Sequence, residues 1–566
     1  MSLPIKNCIF FIIVSSLIFN NIPKPIQMNF IGGPVGNKLV FYPLLIGFIY
    51  TAYCQCKYKN VLVNFKPFVK YLSLYLGVVL LSLILGLFNY PYWNDVLAGP
   101  VNQIEKIPMV LEFFKSHGLE VDVKILTSLW IIVRQLKGVL LEAFWCFGGA
   151  YMIYCWYRND WKQGLYILVS AIFASLTIIL AYSFFEISYL MHSKDAADYL
   201  GKINPFIHEV KTDGKWWPPL LWKGQLRSVM AEPSYFGIYS SFVMPFLWYK
   251  LLKDKSILCG VLTFVMTFFL FLTKARTGFM LHIGQLFLLP LAALFFLRNT
   301  KYLKNTALVA LCSIMAFIGS NYFIANYMDV NKNTPIVQAV AKKVVKKTEK
   351  KVAVNQGNTT KKLVENPNNK KSIDKSKKHT PPLNKAMTMY VDNNMTSLAN
   401  PDKRSNRARY SIMEADTRIG LEHPFIGVGR GLRNGYIPDY LSEQGKKNGE
   451  VKMWLAFRKK MGIMRSGFPK LGEYTSRFGE TGIFGLGVFL FPPLFLLWNM
   501  FKRLRDNDNK YKLECVTFII SLLGIMASGI GDTLNITYCH WVLLGLGYAM
   551  CFGKYGEIDN KCNERA

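Results

Sequence analysis

Arginines at the ends of apolar segments are the side chains of this sequence best suited to holding an anion. Arg227 lies just before the apolar run that starts at Pro233, and Arg276 lies in a very short turn between two apolar runs. A helix that begins at Pro233 would point its positive dipole end at the same place. Two plainer roles stay open, because Arg227 could snorkel to lipid head groups and Arg276 could be a loop charge or part of a structural ion pair.

A third arginine belongs to a polar segment far along the chain. Arg409 falls on a predicted amphipathic helix that ends before Pro424, and a glycine-rich turn from Gly427 to Gly431 follows it. Glycines let a backbone approach a ligand closely, but a purely structural turn has the same composition. The segment therefore needs further support before it counts as a site.

The elements that would position these residues are predicted to be transmembrane helices. The chain has 566 residues, of which 52% are hydrophobic, and a mean hydropathy of +0.21. Its apolar runs are continuous, which indicates helices because only helices and closed barrels satisfy their backbones in hydrocarbon. The sequence predicts an all-α polytopic membrane protein with about twelve spans. They lie near 7–22, 38–55, 68–89, 138–156, 164–183, 233–251, 257–273, 279–297, 306–325, 482–500, 514–530 and 537–553.

One further apolar segment, from Val123 to Val133, is too short for a span. Asp122 and Arg134 flank it, so the sequence predicts a separate interfacial helix. If this segment did cross the membrane, the direction of every later helix would be reversed.

The positions of lysine and arginine predict the topology. The formal net charge is +32, but the basic residues concentrate in short turns between alternate apolar runs and in one long loop. Basic turns are typical of the cytoplasmic side, so both termini are predicted to be cytoplasmic. The long segments 90–137, 184–232 and 326–481 are then outside. The charge reflects this topology, and nucleic acid is not among the predicted partners.

Composition divides the chain into four parts. Residues 1–325 form a membrane domain with nine helices, and residues 482–566 add three more helices and a cytoplasmic tail. The segment 326–403 is rich in lysine and asparagine and almost without aromatics, which predicts disorder outside the membrane. This segment is either a solvated linker or a basic segment that surrounds and binds anionic glycans or lipid head groups. Residues 404–481 regain aromatics and predict a folded extracytoplasmic loop with helices.

The cysteines and the first apolar run bear on three further features: disulfides, a zinc site and a signal peptide. None of the eleven cysteines lies in the long outer loops, and no CxxC pair is present, so neither a disulfide framework nor a zinc site is predicted. The first apolar run has a basic flank but no small-residue cleavage site after it. It is therefore predicted to be the first helix rather than a signal peptide.

The spacing around Arg409 resembles the signature of the bacterial O-antigen ligase and O-antigen polymerase superfamily. Arg409 stands fourteen residues before His423-Pro424, with Gly427-Val428-Gly429 after it. Three flanking segments are similar to the family too: Arg276-Thr277-Gly278, with alanine for serine before the arginine; Arg227 with Glu232-Pro233-Ser234; and Glu480-Thr481-Gly482-Ile483-Phe484-Gly485. The resemblance covers roughly residues 220 to 500 and implies a GT-C-like fold.

One departure from the family pattern separates its two activities. Ligases carry a histidine, which resembles a catalytic base, about eleven residues before the position of Gly482, where this chain has Leu471 followed by Gly472. Polymerases have no fixed residue there. The resemblance therefore favours a polymerase, with ligation of glycan to the lipid A core as the alternative.

The polymerase resemblance implies that lipid-linked glycans are both substrates. A glycan on undecaprenyl diphosphate would be the donor, and a sugar hydroxyl of another lipid-linked unit would be the acceptor. The leaving lipid diphosphate needs positive charge, and guanidinium groups bind its oxygens bidentately. Arg227, Arg276 and Arg409 are predicted to do this, so neither a metal nor another cofactor is expected.

Carboxylates of the same segments are candidates for the general base that would accept the hydroxyl proton. Glu232 is the first of them, although it could equally be a helix cap, and Glu473 and Glu480 follow. Positioning alone could also supply much of the rate. The predicted substrate-binding residues are Tyr235, Arg430, Arg433, Glu473, Arg477 and Glu480.

The implied setting is the bacterial cytoplasmic membrane, with the site facing the periplasm or exterior. Partners would be membrane lipids and the donor and acceptor glycans, with a flippase and a chain-length regulator as further ones. The product could be O-antigen, capsule or exopolysaccharide.

Two other classes of protein remain as alternatives. A transporter of lipid-linked sugars would show paired internal repeats, and the sequence has none that we recognise. A nucleotide-sugar synthase would need a cytoplasmic catalytic domain, for which Asp506-Asn507-Asp508 in a short turn is a poor substitute.

Overall fold

The structure is a computed structural model that describes residues 3–28, 36–97, 106–210, 218–328, 404–464 and 467–553. All regular structure in these ranges is helical. The sequence predicts disorder for the segment 326–403, but residues 326–328 end a helix that begins at Thr300, and the rest of the segment lies outside the described residues.

The described residues form helices in this order along the chain: α1 (Leu3–Ser15), α2 (Phe41–Tyr58), α3 (Phe65–Phe88), α4 (Trp93–Leu97), α5 (Lys106–Ser116), α6 (Val123–Tyr157), α7 (Trp161–Leu190), α8 (Lys194–Ile207), α9 (Pro233–Asp254), α10 (Ile257–Leu272), α11 (Arg276–Leu297), α12 (Thr300–Met328), α13 (Arg404–Glu422), α14 (Arg433–Tyr440), α15 (Glu443–Lys447), α16 (Gly449–Met461), α17 (Glu473–Arg505), α18 (Lys512–Ser528) and α19 (Cys539–Phe552).

Six of the described helices are long and apolar enough to cross a membrane: α3, α6, α7, α11, α12 and α17. The apolar helices α1, α10 and α19 are shorter. These lengths and compositions indicate a membrane protein. A helix is also present at each of the other segments that the sequence predicts as spans.

The structure corrects the prediction for the segment from Val123 to Val133. This segment is not a separate interfacial helix, because it continues without a break into the predicted span 138–156. Together they form α6, whose 35 residues correspond to about 52 Å of helix. A π-helical stretch from Ala143 to Gly148 interrupts its α-helical hydrogen bonding. Since α6 is one helix, the segment adds no span and leaves the direction of later helices unchanged.

The helices α13 to α16 pack over one end of the helix bundle, which we call the loop side. They share a small apolar core with the adjacent ends of α3 and α6. Its buried members include Leu83, Leu87, Ile131, Ala408, Ile412, Ala415, Ile419, Leu432 and Ile437. The folded loop therefore rests directly on the helix bundle.

The lysine- and arginine-rich turns meet at the opposite end. Lys253 at the end of α9 lies 2.9 Å from Glu514 in the first turn of α18. Arg503 near the end of α17 donates to the carbonyl oxygen of Cys551 at 2.6 Å. Contacts of this kind place the basic turns together, away from the loop side.

Candidate functional site

Two helices begin side by side on the loop side. A Cβ atom on Gly237 of α9 would lie only 2.6 Å from the Cα atom of Gly278 of α11. The two backbones touch here, which is possible because neither residue has a side chain. Gly237 is the fifth residue of α9 and Gly278 the third of α11, so the amino-terminal ends of the two helices lie together. Both positive dipole ends then favour an anion at this place.

Arg409 reaches the same region from α13. Its Nη1 atom donates to the carbonyl oxygen of Gly531, in the turn between α18 and α19. The same atom lies 3.8 Å from the Oδ2 atom of Asp532. The Arg409 side chain keeps 36% of its surface exposed. This arginine is therefore positioned by the turn but still open to a ligand.

Five side chains from four elements come together here, and we call them the Arg409 cluster: Glu232, Tyr235, Arg276, Arg409 and Asp532. Arg276 is close enough to Arg409 to interact with it electrostatically, and also interacts with the exposed Tyr410. Tyr235 lies near Glu232, Asp532 and Arg409. The cluster thus combines two guanidinium groups with two carboxylates beside two helix starts.

The electrostatics of the cluster show most clearly at Asp532. Burial, together with the neighbouring Glu232 carboxylate, raises the pKa of Asp532 to about 6 against the opposing effect of Arg409. Asp532 therefore changes charge close to neutral pH, unlike an exposed aspartate.

Glu232 occupies the N-cap position of α9, as the sequence predicts, but does not cap the helix with its side chain. Its Oε1 atom instead accepts a hydrogen bond from the Ser234 hydroxyl at 2.9 Å. The carboxylate stays partly accessible at the start of α9.

Arg227 is separate from this cluster in the structure. Its side chain is only 1% exposed, and its Nη1 and Nη2 atoms donate to the carbonyl oxygens of Pro219 and Leu220 at 2.9 and 3.1 Å. The Glu186 carboxylate accepts the backbone N–H groups of Arg227 and Ser228. These contacts hold the loop before α9, and the direct contact between Arg227 and a phosphate stays a prediction.

A second set of charged residues is buried next to the cluster, and we call it the Glu142 network: Tyr75, Glu142, Arg430, Glu473 and Arg477. Glu142 of α6 accepts Arg430 at 2.7 Å and Arg477 at 2.5 Å. Arg477 also pairs with Glu473 and donates to the Tyr75 hydroxyl at 2.9 Å. Burial alone would lower the pKa of Arg430, but the Glu142 carboxylate raises it above its usual value.

The guanidinium groups of the Glu142 network are already paired closely with carboxylates, unlike Arg409, whose contact with Asp532 is 3.8 Å. The network's two guanidinium groups face two carboxylates, and the arginine side chains are only 18% and 11% exposed. A diphosphate could use them only by displacing Glu142 or Glu473. The arrangement favours a supporting role for Arg430 and Arg477, and their predicted contact with substrate stays untested.

Glu473 connects the network to the Arg409 cluster. Its backbone N–H group donates to the carbonyl oxygens of Gly529 and Asp532 at 2.8 and 3.0 Å. Its Oε2 atom accepts the N–H group of Leu534 at 3.0 Å. The turn that carries Asp532 is thereby tied to the first turn of α17 at three points.

The glycine-rich turn after α13 passes across a break in α17. Gly482 has a φ of 62° inside this helix, a conformation that favours glycine. The N–H group of Ile483 then donates to Pro424 O at 2.8 Å, and Gly429 N–H donates to Glu480 O at 2.9 Å. The turn satisfies the backbone groups that the break leaves open and so fixes the position of Arg430.

The two remaining predicted residues lie in the folded loop and at its contact with α17. Glu480 pairs with Lys470 at 2.6 Å. Arg433 is 2% exposed and binds both carboxylate oxygens of Asp416. Neither residue is part of the Arg409 cluster, so substrate binding by them stays a prediction.

Sequence reasoning missed two residues that the structure makes central. Glu142 is the only charged side chain between Lys137 and Arg158, and a carboxylate inside an apolar run signals a buried partner. Asp532 is the only charged residue between Glu514 and Lys554. Both charges stand out in the sequence, but the residues that contact them lie in distant segments of the chain.

A metal site does not emerge from the described residues, where no three His, Cys, Asp or Glu side chains are grouped suitably. No protein-family model matches the chain, and no curated protein matches it either. The features of the chain that bear on its function are therefore the motif residues around Arg409 and the geometry of the Arg409 cluster.

Proposed function

We propose that the chain is a polymerase of undecaprenyl-diphosphate-linked oligosaccharide repeat units. It acts at the outer face of a bacterial cytoplasmic membrane, as a metal-independent glycosyltransferase with about twelve spans and a GT-C-like fold. The observation that carries the proposal is the convergence of Arg276 and Arg409 beside the starts of α9 and α11. The resemblance of these segments to the O-antigen polymerases supports the same conclusion.

The chemistry of the cluster suits departure of a lipid diphosphate. Negative charge grows on the diphosphate as the anomeric C–O bond breaks, and Arg276, Arg409 and two helix dipoles oppose that charge. A nearby carboxylate can take the proton of the incoming hydroxyl. The arginines of the supporting Glu142 network are already paired closely with its carboxylates, so they do not compete for the substrate.

A polymerase is favoured over a ligase by the residue at one position. The ligases' histidine corresponds to Leu471, whose side chain is partly buried against the apolar core of the folded loop. A leucine in that environment cannot act as a base. Ligation of glycan to the lipid A core is the second candidate and is distinguished by the products formed.

The direct test uses purified protein with lipid-linked repeat units in excess chelator. We expect a ladder of polymer lengths, because two guanidinium groups replace a metal at the diphosphate. Transfer that strictly requires magnesium would favour a nucleotide-sugar synthase, and an absence of new glycosidic bonds with any lipid-linked unit would refute the proposal. In a deletion strain, single repeats retained on the core indicate a lost polymerase, whereas unattached polymer indicates a lost ligase.

The proposed orientation makes its own prediction. The basic turns at the end opposite the loop side should be cytoplasmic. Reporter fusions after Glu443, which is 81% exposed in the folded loop, and after Asp506, at the end of α17, should therefore report opposite sides of the membrane. Equal signals from both fusions would contradict an outward-facing Arg409 cluster.

A further inference from the structure

The turn that carries Asp532 is held by several hydrogen bonds. Asp532 lies between α18 and α19 and is only 9% exposed. Glu473 binds the backbone on both sides of it, through the carbonyl oxygens of Gly529 and Asp532 and the N–H group of Leu534. The backbone of this turn is thereby held in place, and the Asp532 Oδ2 atom lies 3.8 Å from the Arg409 Nη1 atom.

We propose that Asp532 is the general base of the transfer, accepting the proton of the acceptor hydroxyl beside a diphosphate bound by Arg409. The inference rests on the proposed function and goes beyond it by naming a catalytic residue that the sequence motifs do not include. A base must reach the acceptor hydroxyl, which attacks the same carbon that the diphosphate leaves, so the base and the diphosphate-binding groups belong to one site. Asp532 meets this condition through its contact with Arg409.

Glu232 is the competing carboxylate, and its surroundings differ. Its Oε1 atom already accepts the Ser234 hydroxyl, and Glu232 itself is the N-cap residue of α9. Asp532 is more buried and faces Glu232, which disfavours a second negative charge. Of the two carboxylates, Asp532 is the more enclosed one and has the 3.8 Å contact with Arg409, so it is the candidate base.

The proposed step is balanced in protons and electrons. The acceptor hydroxyl oxygen forms a bond to the anomeric carbon of the donor, and its proton passes to an Asp532 carboxylate oxygen. The bond between that carbon and the diphosphate oxygen breaks, and its electron pair leaves with the lipid diphosphate. Asp532 then returns its proton to solvent or to the departing diphosphate.

The pH dependence of this step follows from the groups that face Asp532. Burial raises the pKa of Asp532 to about 6, Arg409 from α13 lowers it, and Glu232 at the start of α9 raises it. Tyr235 also lies close, and Glu473 of α17 contacts the backbone. The base is the deprotonated form, so the rate should fall as pH decreases through about 6.

The test compares Asp532→Asn, Asp532→Glu, Glu232→Gln and the control Asp508→Asn, which changes an exposed turn at the opposite end. Asp532→Asn should lower the rate about 100- to 10,000-fold. It should also abolish the acidic limb of the pH profile, whereas binding of the lipid diphosphate and the melting temperature should change little. Asp532→Glu should restore part of the rate and keep a shifted acidic limb.

Two results would overturn the inference while leaving the polymerase intact. One is a wild-type enzyme that makes polymer together with an Asp532→Asn variant of near-normal rate. The other is an unchanged acidic limb in Asp532→Asn together with loss of that limb in Glu232→Gln, which assigns the base to Glu232. A wild-type protein that makes no polymer refutes the proposed function instead, so the two failures are distinguishable.

Discussion

Arg409→Lys should lose most of its polymer-forming activity. Lysine keeps the positive charge but replaces a planar fork, which can hold two phosphate oxygens at once, by a single ammonium group. Removing one charged hydrogen-bonding partner costs about 2–5 kcal/mol in comparable buried interfaces. That corresponds to about 30- to 5,000-fold in rate. Because Arg409 keeps 36% of its side chain exposed, the lower half of that range is the expected effect.

The matched control is Arg418→Lys on the same helix. Arg418 lies nine residues further along α13, which places it on the opposite face, and it is exposed and paired with Glu414. Its replacement should leave polymer formation unchanged. Both variants are compared at equal amounts of protein in the membrane, by the length and quantity of polymer. Near-normal activity of Arg409→Ala would remove Arg409 from the site.

The helices of the bundle could be predicted from the sequence because each one is determined by the residues of its own segment. A continuous apolar run of about 20 residues specifies a membrane helix without reference to the rest of the chain. At α6 the local sequence predicts a wrong helix boundary. Polar residues around Arg134 suggested a boundary, but the backbone continues as one helix because the segment before it packs, through Ile131, against the folded loop.

The site was predictable only in part, because its geometry also depends on contacts between distant segments. Arg276 and Arg409 could be selected by residue type and spacing, and the structure brings them together. Arg227 was selected by the same criteria of residue type and spacing. Its guanidinium group, however, donates hydrogen bonds to the carbonyl oxygens of Pro219 and Leu220. The direction of a side chain at a loop depends on acceptors that no local pattern specifies. The positions of Glu142 and Asp532 likewise depend on contacts between distant segments.

Glu142→Ala should cause the largest loss of stability among single replacements in the buried Glu142 network. The carboxylate is 6% exposed and pairs with Arg430 and Arg477 at once. Without it, two buried guanidinium groups lose a charged partner, and breaking a buried pair in this way costs about 3–5 kcal/mol. The melting temperature of the purified protein in detergent should fall clearly. The control is Glu120→Ala, which changes an exposed carboxylate before α6 and should leave it unchanged.

A double replacement separates lost pairing from lost packing in this network. If Glu142 stabilises the protein by pairing, then adding Arg430→Ala to Glu142→Ala should cost much less than Arg430→Ala costs alone, because the guanidinium it removes is already unpaired. The coupling should be about 0.5–3 kcal/mol, the range for residues in one ion-pair network. Strictly additive effects would show that Glu142 contributes only volume to α6.

Polymer formation gives a second measurement. Arg477 pairs with both Glu142 and Glu473, and Glu473 holds the turn that carries Asp532. Glu142→Gln, which keeps the shape and removes the charge, should therefore lower the rate even where the protein remains folded.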